Sequence, residues 1–380
     1  MHRLSPVDRA ESDRFIDAVL TLRQGNALQR GRVLLAYAGV TLAELSSRFQ
    51  HPLLTAAMTD YIGGEYSALG LIFAYGAYIG GNADLPAGGS TAMAERMAAR
   101  LRALGGSVLL SARVTRAVTE GRRITELVTA DGKSYAADAV IFACDPHITF
   151  DLLLPEQMRS RTLDRLDGSE AFPGVSAVHV AFSVDRADCA LRGTVCFSGK
   201  AGKHAARAGG RMALRVFDHE PDFAPEGKLC LQLMLFVPEG EARAWIDLRR
   251  DPVRYRREKA AFAAAAREAV LRAFPSLAPS LTVLDAWTPA TYRRYTGAYL
   301  GNFIGYVLTG KALPPRISSR IRGSENGYLA SGWMQMPSGL PSAARSGERT
   351  AEAVMRALRR EQILGERIFR NDSRKRSIGY

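Results

Sequence analysis

The sequence predicts a two-lobed α/β protein with α+β elements, one lobe carrying an antiparallel sheet. Three observations predict it. Residues 1 to about 60 repeat apolar positions at intervals of three and four, the period of an amphipathic helix. Segments 175–184 (VSAVHVAFSV) and 228–237 (KLCLQLMLFV) alternate with period two, as antiparallel strands with one buried face do. Residues 86–146 and 328–360 each combine a short apolar run with a helix that begins after glycine and proline. With 380 residues, 47% of them hydrophobic, the chain can bury two domains or one large two-lobed fold.

The N-terminal region, residues 1–85, is expected to be the helical part of one lobe. Its apolar spacing runs through FIDAVLTLRQGNALQRGRVLLAYAGVTLAEL, and proline is absent between Val7 and His51. No charge occurs between Glu65 and Asp84, where the chain reads YSALGLIFAYGAYIGGNA. Glycines at 70, 76, 80 and 81 and three tyrosines argue for a buried helix or the lining of an apolar tunnel, and against a membrane span.

A break at LPAGGS (85–90) opens the second segment, 86–146. Met93, Met97, Leu101 and Leu104 share one helical face, with Ser90 or Thr91 expected as the cap and Gly105-Gly106 as the end. Residues 107–110 and 124–129 read as strands, and Asp131-Gly132 is a hairpin signal. The run 138–143 is expected to be a strand covered on both faces. It ends at Cys144-Asp145-Pro146, where proline forces an extended exit.

Residues 147–306 form the region of the antiparallel sheet, with a basic glycine-rich loop at 199–210 and a long helix from about 253 to 274. Residues 307–360 return to the earlier pattern: a short apolar run at 328–330, a loop at 331–340, and a helix from about Pro341 to Arg360. The tail, 361–380, gathers Arg370, Arg374, Lys375 and Arg376, and reads as a solvated end or an anionic-surface contact.

Composition excludes several classes. The formal charge of +13 suits an anionic partner surface without choosing between nucleic acid, anionic lipid and plain solubility. The basic residues are scattered and accompany no nucleic-acid-binding pattern, so nucleic acid is not expected as a partner. Four cysteines without C-x-x-C, and six histidines without H-x-x-x-H, argue for reduced thiols and against a metal site. The start is polar and lacks a signal-peptide pattern, so a cytoplasmic location is expected. No G-x-G occurs among the 35 glycines, which removes the G-x-G-x-x-G dinucleotide fingerprint. G-x-x-x-x-G-K-[ST] and G-x-S-x-G are absent too, against a P-loop enzyme or a serine hydrolase. Gly297, Gly301 and Gly305 repeat every fourth residue in a segment too polar for a membrane dimer, so close packing of backbone or of a ligand is expected there.

The best physical signals are the two helix starts at 86–91 and 337–341. A helix N-terminus carries partial positive charge and unpaired N–H groups, and small residues before it let a phosphate or an electron-rich ring approach.

Three stretches together resemble the phytoene desaturase-like family of FAD-dependent oxidoreductases, which includes carotenoid desaturases and retinol saturases. They are LPAGGSTAMAERMAARLRALGGSVLLSARVTRAV, continuing to LVTADGKSYAADAVIFACDP; WTPATYRRYTGAYLGNFIGY at 287–306; and GYLASGWMQMPSGLPSAARSGERTAEAV at 327–354. The resemblance implies a FAD-binding lobe interleaved with a substrate lobe, and hydride transfer between the flavin and a carbon–carbon bond of an apolar isoprenoid or lipid. It implies cofactor contacts at Pro86, Gly88 and Gly89, at Val114 near the adenine, at Ala143 and Asp145 near the dinucleotide, and at Trp333, Gly339, Leu340, Pro341 and Ala343 facing the flavin ring. Asp145, His147, Tyr292 and Tyr295 are the polar candidates near the chemistry. Each is more simply a structural hydrogen-bonding group, so no catalytic acid or base is assigned.

Relatives in that family begin with a strand–helix–strand carrying the glycine fingerprint, whereas this chain begins in what resembles the helical substrate lobe. Three accounts of the incomplete FAD-binding lobe are open. The chain is a fragment of a longer active enzyme, the favoured account; or a second polypeptide supplies the lobe; or the chain is a non-catalytic remnant that binds an apolar ligand. Ser331-Gly332 and Pro337-Ser338 also depart from the family pattern. The competing functions are an amine oxidase-like flavoenzyme and a flavin-free protein of apolar ligands or membrane surfaces.

Overall fold

The computed structural model describes residues 4–60, 63–199, 211–310, 315, 317–334 and 338–376. The chain divides into two units: residues 1–97 with 166–314, and residues 98–165 with 315–380. Of the loop expected at 199–210, residues 200–210 lie outside the described residues, as do Gln335 to Pro337.

The first unit opens with helices α1 (Pro6–Gln24), α2 (Ala27–Tyr37), α3 (Leu42–Ser46), α4 (Pro52–Thr59) and α5 (Ala68–Ile79). Their boundaries follow from capping. Ser5 with Asp8, Asn26 with Gln29, and Thr41 with Glu44 form capping boxes, each satisfying two amides at a helix start. Asp8 is buried and also accepts hydrogen bonds from the amides of Gln50 (2.7 Å) and His51 (3.1 Å), tying the start of α1 to the entry of α4. These contacts, led by the Ser5 hydroxyl, hold its carboxyl down at about 2. Phe15, Val19, Leu42, Leu45, Leu69 and Ile72 form the shared core.

The uncharged segment is therefore a half-buried helix. α5 buries Ala68, Leu69 and Ile72 and leaves Phe73, Tyr75, Tyr78 and Ile79 exposed, because only one side meets the N-terminal helices. Among the described residues no helix is long and apolar enough to cross a membrane. Helix α6 (Gly89–Ala103) begins in the first unit and ends in the second. Ser90 and Thr91, expected as caps, lie inside its first turn. Its end is as expected: Gly105, at φ +86°, and Gly106 donate back to Arg102 and Leu101 in a Schellman pattern. The face bearing Met97, Leu101 and Leu104 is exposed.

In the second unit, β1 (Val114–Glu120), β2 (Arg123–Thr129) and β3 (Ser134–Ala136) form an antiparallel meander, turning at Gly121 and at Asp131-Gly132. Residues 107–110 are not the strand expected. Leu109 and Leu110 are exposed, and this stretch joins no ladder among the described residues. β4 (Val140–Phe142) is shorter than the run predicted and is covered on one face only: Val140 and Phe142 are buried while Ile141 is 43% exposed. The chain then passes through a turn of π-helix (Ile148–Leu153) into α7 (Arg161–Leu166).

Back in the first unit, five strands make an antiparallel sheet: β5 (Ser176–Asp185), β6 (Thr194–Ser198), β7 (Arg211–Val216), β8 (Lys228–Val237) and, after helices α8 (Glu239–Leu248) and α9 (Pro252–Ala273), β9 (Thr282–Trp287). The spatial order is β6-β7-β8-β5-β9. β5 and β8 pair along all ten residues, Ser176 opposite Val237 through Asp185 opposite Lys228. The period of two assigns the faces. Val178, Val180, Phe182 and Val184, with Leu229, Leu231, Leu233 and Leu235, pack on Trp245, Tyr255, Phe262 and Val270 of α8 and α9. The unit continues with α10 (Pro289–Thr296).

The second unit closes with β10 (Gly327–Leu329), parallel to β4, and α11 (Leu340–Arg376). α11 runs past Arg360 and takes in most of the tail predicted to stand apart. No proline follows Pro341 in it, and Ala, Arg, Glu and Leu dominate, so nothing ends the helix at 360. No disulfide joins the four cysteines.

Candidate functional site

Among the described residues, one cluster of chemistry-bearing side chains in each unit bears on function. In the second unit it sits where β4 and β10 end. The strands are parallel, so both C-terminal ends lie on one side, the side at which parallel α/β sheets bind ligands. Ala330 donates to Phe142 (2.9 Å), extending the ladder by one residue. Beyond it, Asp145 and His147 are 7% and 6% exposed. Asp145 accepts from the His147 backbone amide and pairs with its Nδ1, both at 2.8 Å. Proline at 146 makes this tight turn by fixing the chain between them. His147 meets the Trp333 ring edge-on, at 5.4 Å between centroids. The Cys144 thiol touches Thr149 at 3.2 Å, and burial pushes its pKa up, against a nucleophilic role.

The exit from β10 is fixed by hydroxyls. Ser331 accepts from the Trp333 amide (3.4 Å), Ser346 accepts from the Ser331 amide (3.1 Å), and Ser338 donates to the Gly332 carbonyl (2.7 Å). Gly339, at φ +116°, leads into α11, whose first internal bond runs from Ala343 to Gly339 (3.0 Å). Leu340 and Pro341 are exposed. The second unit thus contains Ala143, Asp145, Trp333, Gly339, Leu340, Pro341 and Ala343 around these strand ends. Val114 is half-buried at the start of β1, opposite Thr129. Pro86, Gly88 and Gly89 belong to the first unit, where Gly88 (φ +73°) and Gly89 (φ +77°), the first residue of α6, are two successive left-handed residues.

In the first unit the cluster lies on the sheet face turned away from α8 and α9. His179 of β5 stacks on Trp287 of β9, its register partner, at 4.7 Å and 8°. Tyr292 of α10 holds both: its phenol oxygen accepts from Trp287 Nε1 (3.2 Å) and lies 2.8 Å from His179 Nε2. Phe303 stacks on Tyr292, and Phe236 of β8 on Phe303, each at 5.9 Å. Burial, joined by the positive charge of Arg215, pushes the His179 imidazole down to about 4, and burial raises the Tyr292 phenol.

The motif WTPATYRRYTGAYLG builds this corner. Thr288 caps α10 with Pro289 behind it, and its hydroxyl meets Tyr255 at 2.9 Å. Gly297 ends the helix in the left-handed region (φ +71°). A Cβ on Gly301 would stand 2.0 Å from the Pro289 carbonyl, the close packing expected of that glycine. Tyr295 does not join the cluster. It is 74% exposed beside Arg294. Sequence reasoning missed His179, Trp287, Phe303 and Phe236; the available signal was a histidine on the alternating pattern of a core strand.

The sequence matches the profile of the family described as flavin containing amine oxidoreductase over residues 9–355. The chain belongs to that family. Among curated proteins, this flavin oxidoreductase-family chain is 25% identical over 280 residues to a phytoene desaturase (lycopene-forming) of Paracoccus sp. (strain N81106 / MBIC 01143), covering 70% of this chain and 54% of that protein. It therefore spans about half the length of that relative. Among solved structures it resembles an oxidoreductase from Methanosarcina mazei (TM-score 0.58, 14% identity, 89% of this chain and 70% of that one). It also resembles a putrescine oxidase variant from a redesign of cofactor binding (TM-score 0.53, 14% identity, 93% and 77%). These likenesses show that the fold is that of the flavin amine oxidase group.

FAD is the cofactor that membership gives the chain, and the groups at the ends of β4 and β10 are chemically compatible with an electron-rich ring. The serine hydroxyls are spent on fixing the backbone. What remains is a helix start with amides that have no partner inside the helix, a Trp ring, and a buried Asp–His pair. Nothing here is assigned to the pyrophosphate, since the chain has no G-x-G turn.

Proposed function

We propose that the chain works as part of a FAD-dependent oxidoreductase that transfers a hydride between the flavin and a carbon–carbon bond of an apolar isoprenoid or lipid. The observation that carries this reading is the mainly apolar character of the first unit's cluster, where the charge that acts on the imidazole is the positive one of Arg215. Trp287, Tyr292 and Met234 border an imidazole held neutral, Phe303 and Phe236 continue the aromatic stack, and the carboxylates on that face, Asp285 and Asp185, are paired with Lys259 (2.9 Å) and with Lys228. Such a surface stabilises hydrocarbon by burial and gives no counter-charge to an ammonium group.

The flavin, when bound, accepts or delivers the hydride; this chain's residues prepare the site. Trp333, buried beside His147, would back the site with an apolar ring, and the start of α11 offers positive potential to an electron-rich ring. Asp145 fixes the orientation of His147 through two hydrogen bonds to one carboxylate oxygen. In this reading the pyrophosphate is held by a glycine-bearing segment outside this sequence, in the same polypeptide or a second one. The apolar substrate is drawn from a membrane surface that the protein touches peripherally.

The test is anaerobic mixing of the FAD-loaded protein with an isoprenoid hydrocarbon or, separately, an alkyl diamine. Bleaching of the visible flavin band by the hydrocarbon alone supports the reading. Bleaching by the diamine alone would replace it with amine oxidation.

A further inference from the structure

The aromatic cluster of the first unit contains one polar atom that nothing satisfies. His179 is 4% exposed, and its Nδ1 is buried with no hydrogen-bond partner among the described residues. Buried imidazole nitrogens are almost always paired, so this atom calls for an explanation. Counting hydrogens around Tyr292 settles its character. The Trp287 indole has only a donor, and it donates to the Tyr292 oxygen. If the phenol donates its single hydrogen to His179 Nε2, every polar atom of the trio is used except Nδ1, which then carries the imidazole hydrogen. The opposite tautomer would strand the phenol hydrogen as well as Nδ1. The first arrangement has fewer unmet groups, so Nδ1–H is a donor awaiting an acceptor.

The surroundings say what kind of acceptor fits. Along its own strand His179 is flanked on the same face by Ala177 and Ala181, and across the ladder it faces Met234 on one side and Trp287 on the other. Met234 is half-buried, and an unbranched thioether adapts its shape readily. Phe303 is 37% exposed and continues the apolar surface beyond Tyr292. Arg215 places a positive charge near the imidazole, and burial keeps the ring itself neutral.

We propose that His179 Nδ1–H anchors the carbonyl or hydroxyl oxygen of an otherwise apolar substrate that displaces Met234 and lies along Trp287, Tyr292 and Phe303. This rests on the reading of an apolar-substrate oxidoreductase and deepens it: the preferred substrate is an oxygenated isoprenoid or lipid, held more tightly than the bare hydrocarbon and far more tightly than an amine. An ammonium group has donors only, so it meets Nδ1–H donor to donor. A hydrocarbon leaves Nδ1–H as unmet as before, whereas a carbonyl removes an unsatisfied buried donor, worth roughly tenfold or more in affinity.

The experiment compares three probes of equal chain length, a methyl ketone, an alkane and a primary alkylamine, binding to the full chain without flavin, followed by tryptophan fluorescence. The ketone should bind roughly tenfold more tightly than the alkane, with the amine weakest. His179→Phe, which keeps a ring on Trp287, should remove the ketone's advantage and leave the alkane unchanged. Equal binding of ketone and alkane to the unmodified chain, tightest binding of the amine, or no binding of any probe would each overturn the proposal. Nitrogen-15 NMR of labelled histidine in the unmodified chain provides a check independent of the variant. A hydrogen on Nδ1 that shifts with the ketone supports the anchor, and a hydrogen on Nε2 overturns it. Because flavin is absent throughout, failure here leaves the redox reading to its own bleaching test, and failure of bleaching leaves the anchor standing.

Discussion

Protonating His179 should destabilise the protein in a defined pH window. In the folded chain its pKa falls from 6.5 to about 4, first because burial penalises the charged ring and second because Arg215 repels it. A histidine depressed in this way favours folding fully above its unfolded value, and the benefit is lost as pH falls from about 6.5 to about 4. At about 1.4 kcal/mol per pH unit, the drop corresponds to about 3 kcal/mol, a large part of the stability of an ordinary domain. Below about pH 4 the folded state takes up the proton as well and the loss levels off. The assay is urea unfolding at a series of pH values for the unmodified chain and for His179→Phe. The variant lacks the titration but keeps the stacked ring, so it should be less stable at neutral pH and show a shallower decline between those limits. Asp8 and Asp131, both held down at about 2 by hydrogen bonds, contribute equally to the two proteins and act at lower pH. Equal slopes would refute the reasoning, because they would mean that His179 is hydrated or already charged when folded.

Asn326→Ala should weaken the second unit. Asn326 is 3% exposed, accepts from the Ile124 amide (2.9 Å) and donates to the carbonyls of Ile124 (2.8 Å) and Asp138 (3.1 Å), so its loss should lower stability by about 3 kcal/mol in urea unfolding. Gly301→Ala should lower the melting temperature by several degrees, through a clash with the Pro289 carbonyl at a φ of +63°. Gly240→Ala, inside α8 with nothing within 4 Å of the added carbon, should raise stability by about 0.5–1 kcal/mol.

Legibility in the sequence followed the strength of local pattern. The helices before residue 60 carry capping residues and a 3.6 period together, and their boundaries follow. β5 and β8 alternate without interruption and form the long antiparallel pair expected. Residues 107–110 had the right composition for a strand but no partner, and a ladder depends on two segments, of which composition reports one. The apolar run after Asp138 predicts a strand covered on both faces, whereas the assembled pair leaves Ile141 on an open face. The strand-end cluster could be placed through Asp145 and Trp333, since a proline exit and a glycine-led helix start are local signals. The aromatic cluster was largely hidden. It depends on the register that sets His179 opposite Trp287 and on an α10 that brings Tyr292 back over both, and neither is visible before the sheet is assembled. Tyr292 and Tyr295 differ by three residues on one helix, and only packing tells the half-buried one from the exposed one.

The account stands most directly on the flavin ring binding at the ends of β4 and β10. Titrating FAD into the folded chain while following flavin fluorescence tests it, with Trp333→Ala as the comparison. The account predicts saturable quenching that is weakened in Trp333→Ala by roughly tenfold, the scale of one lost aromatic contact. Absence of saturable quenching in a chain shown to be folded, or identical titrations for the two proteins, would contradict it.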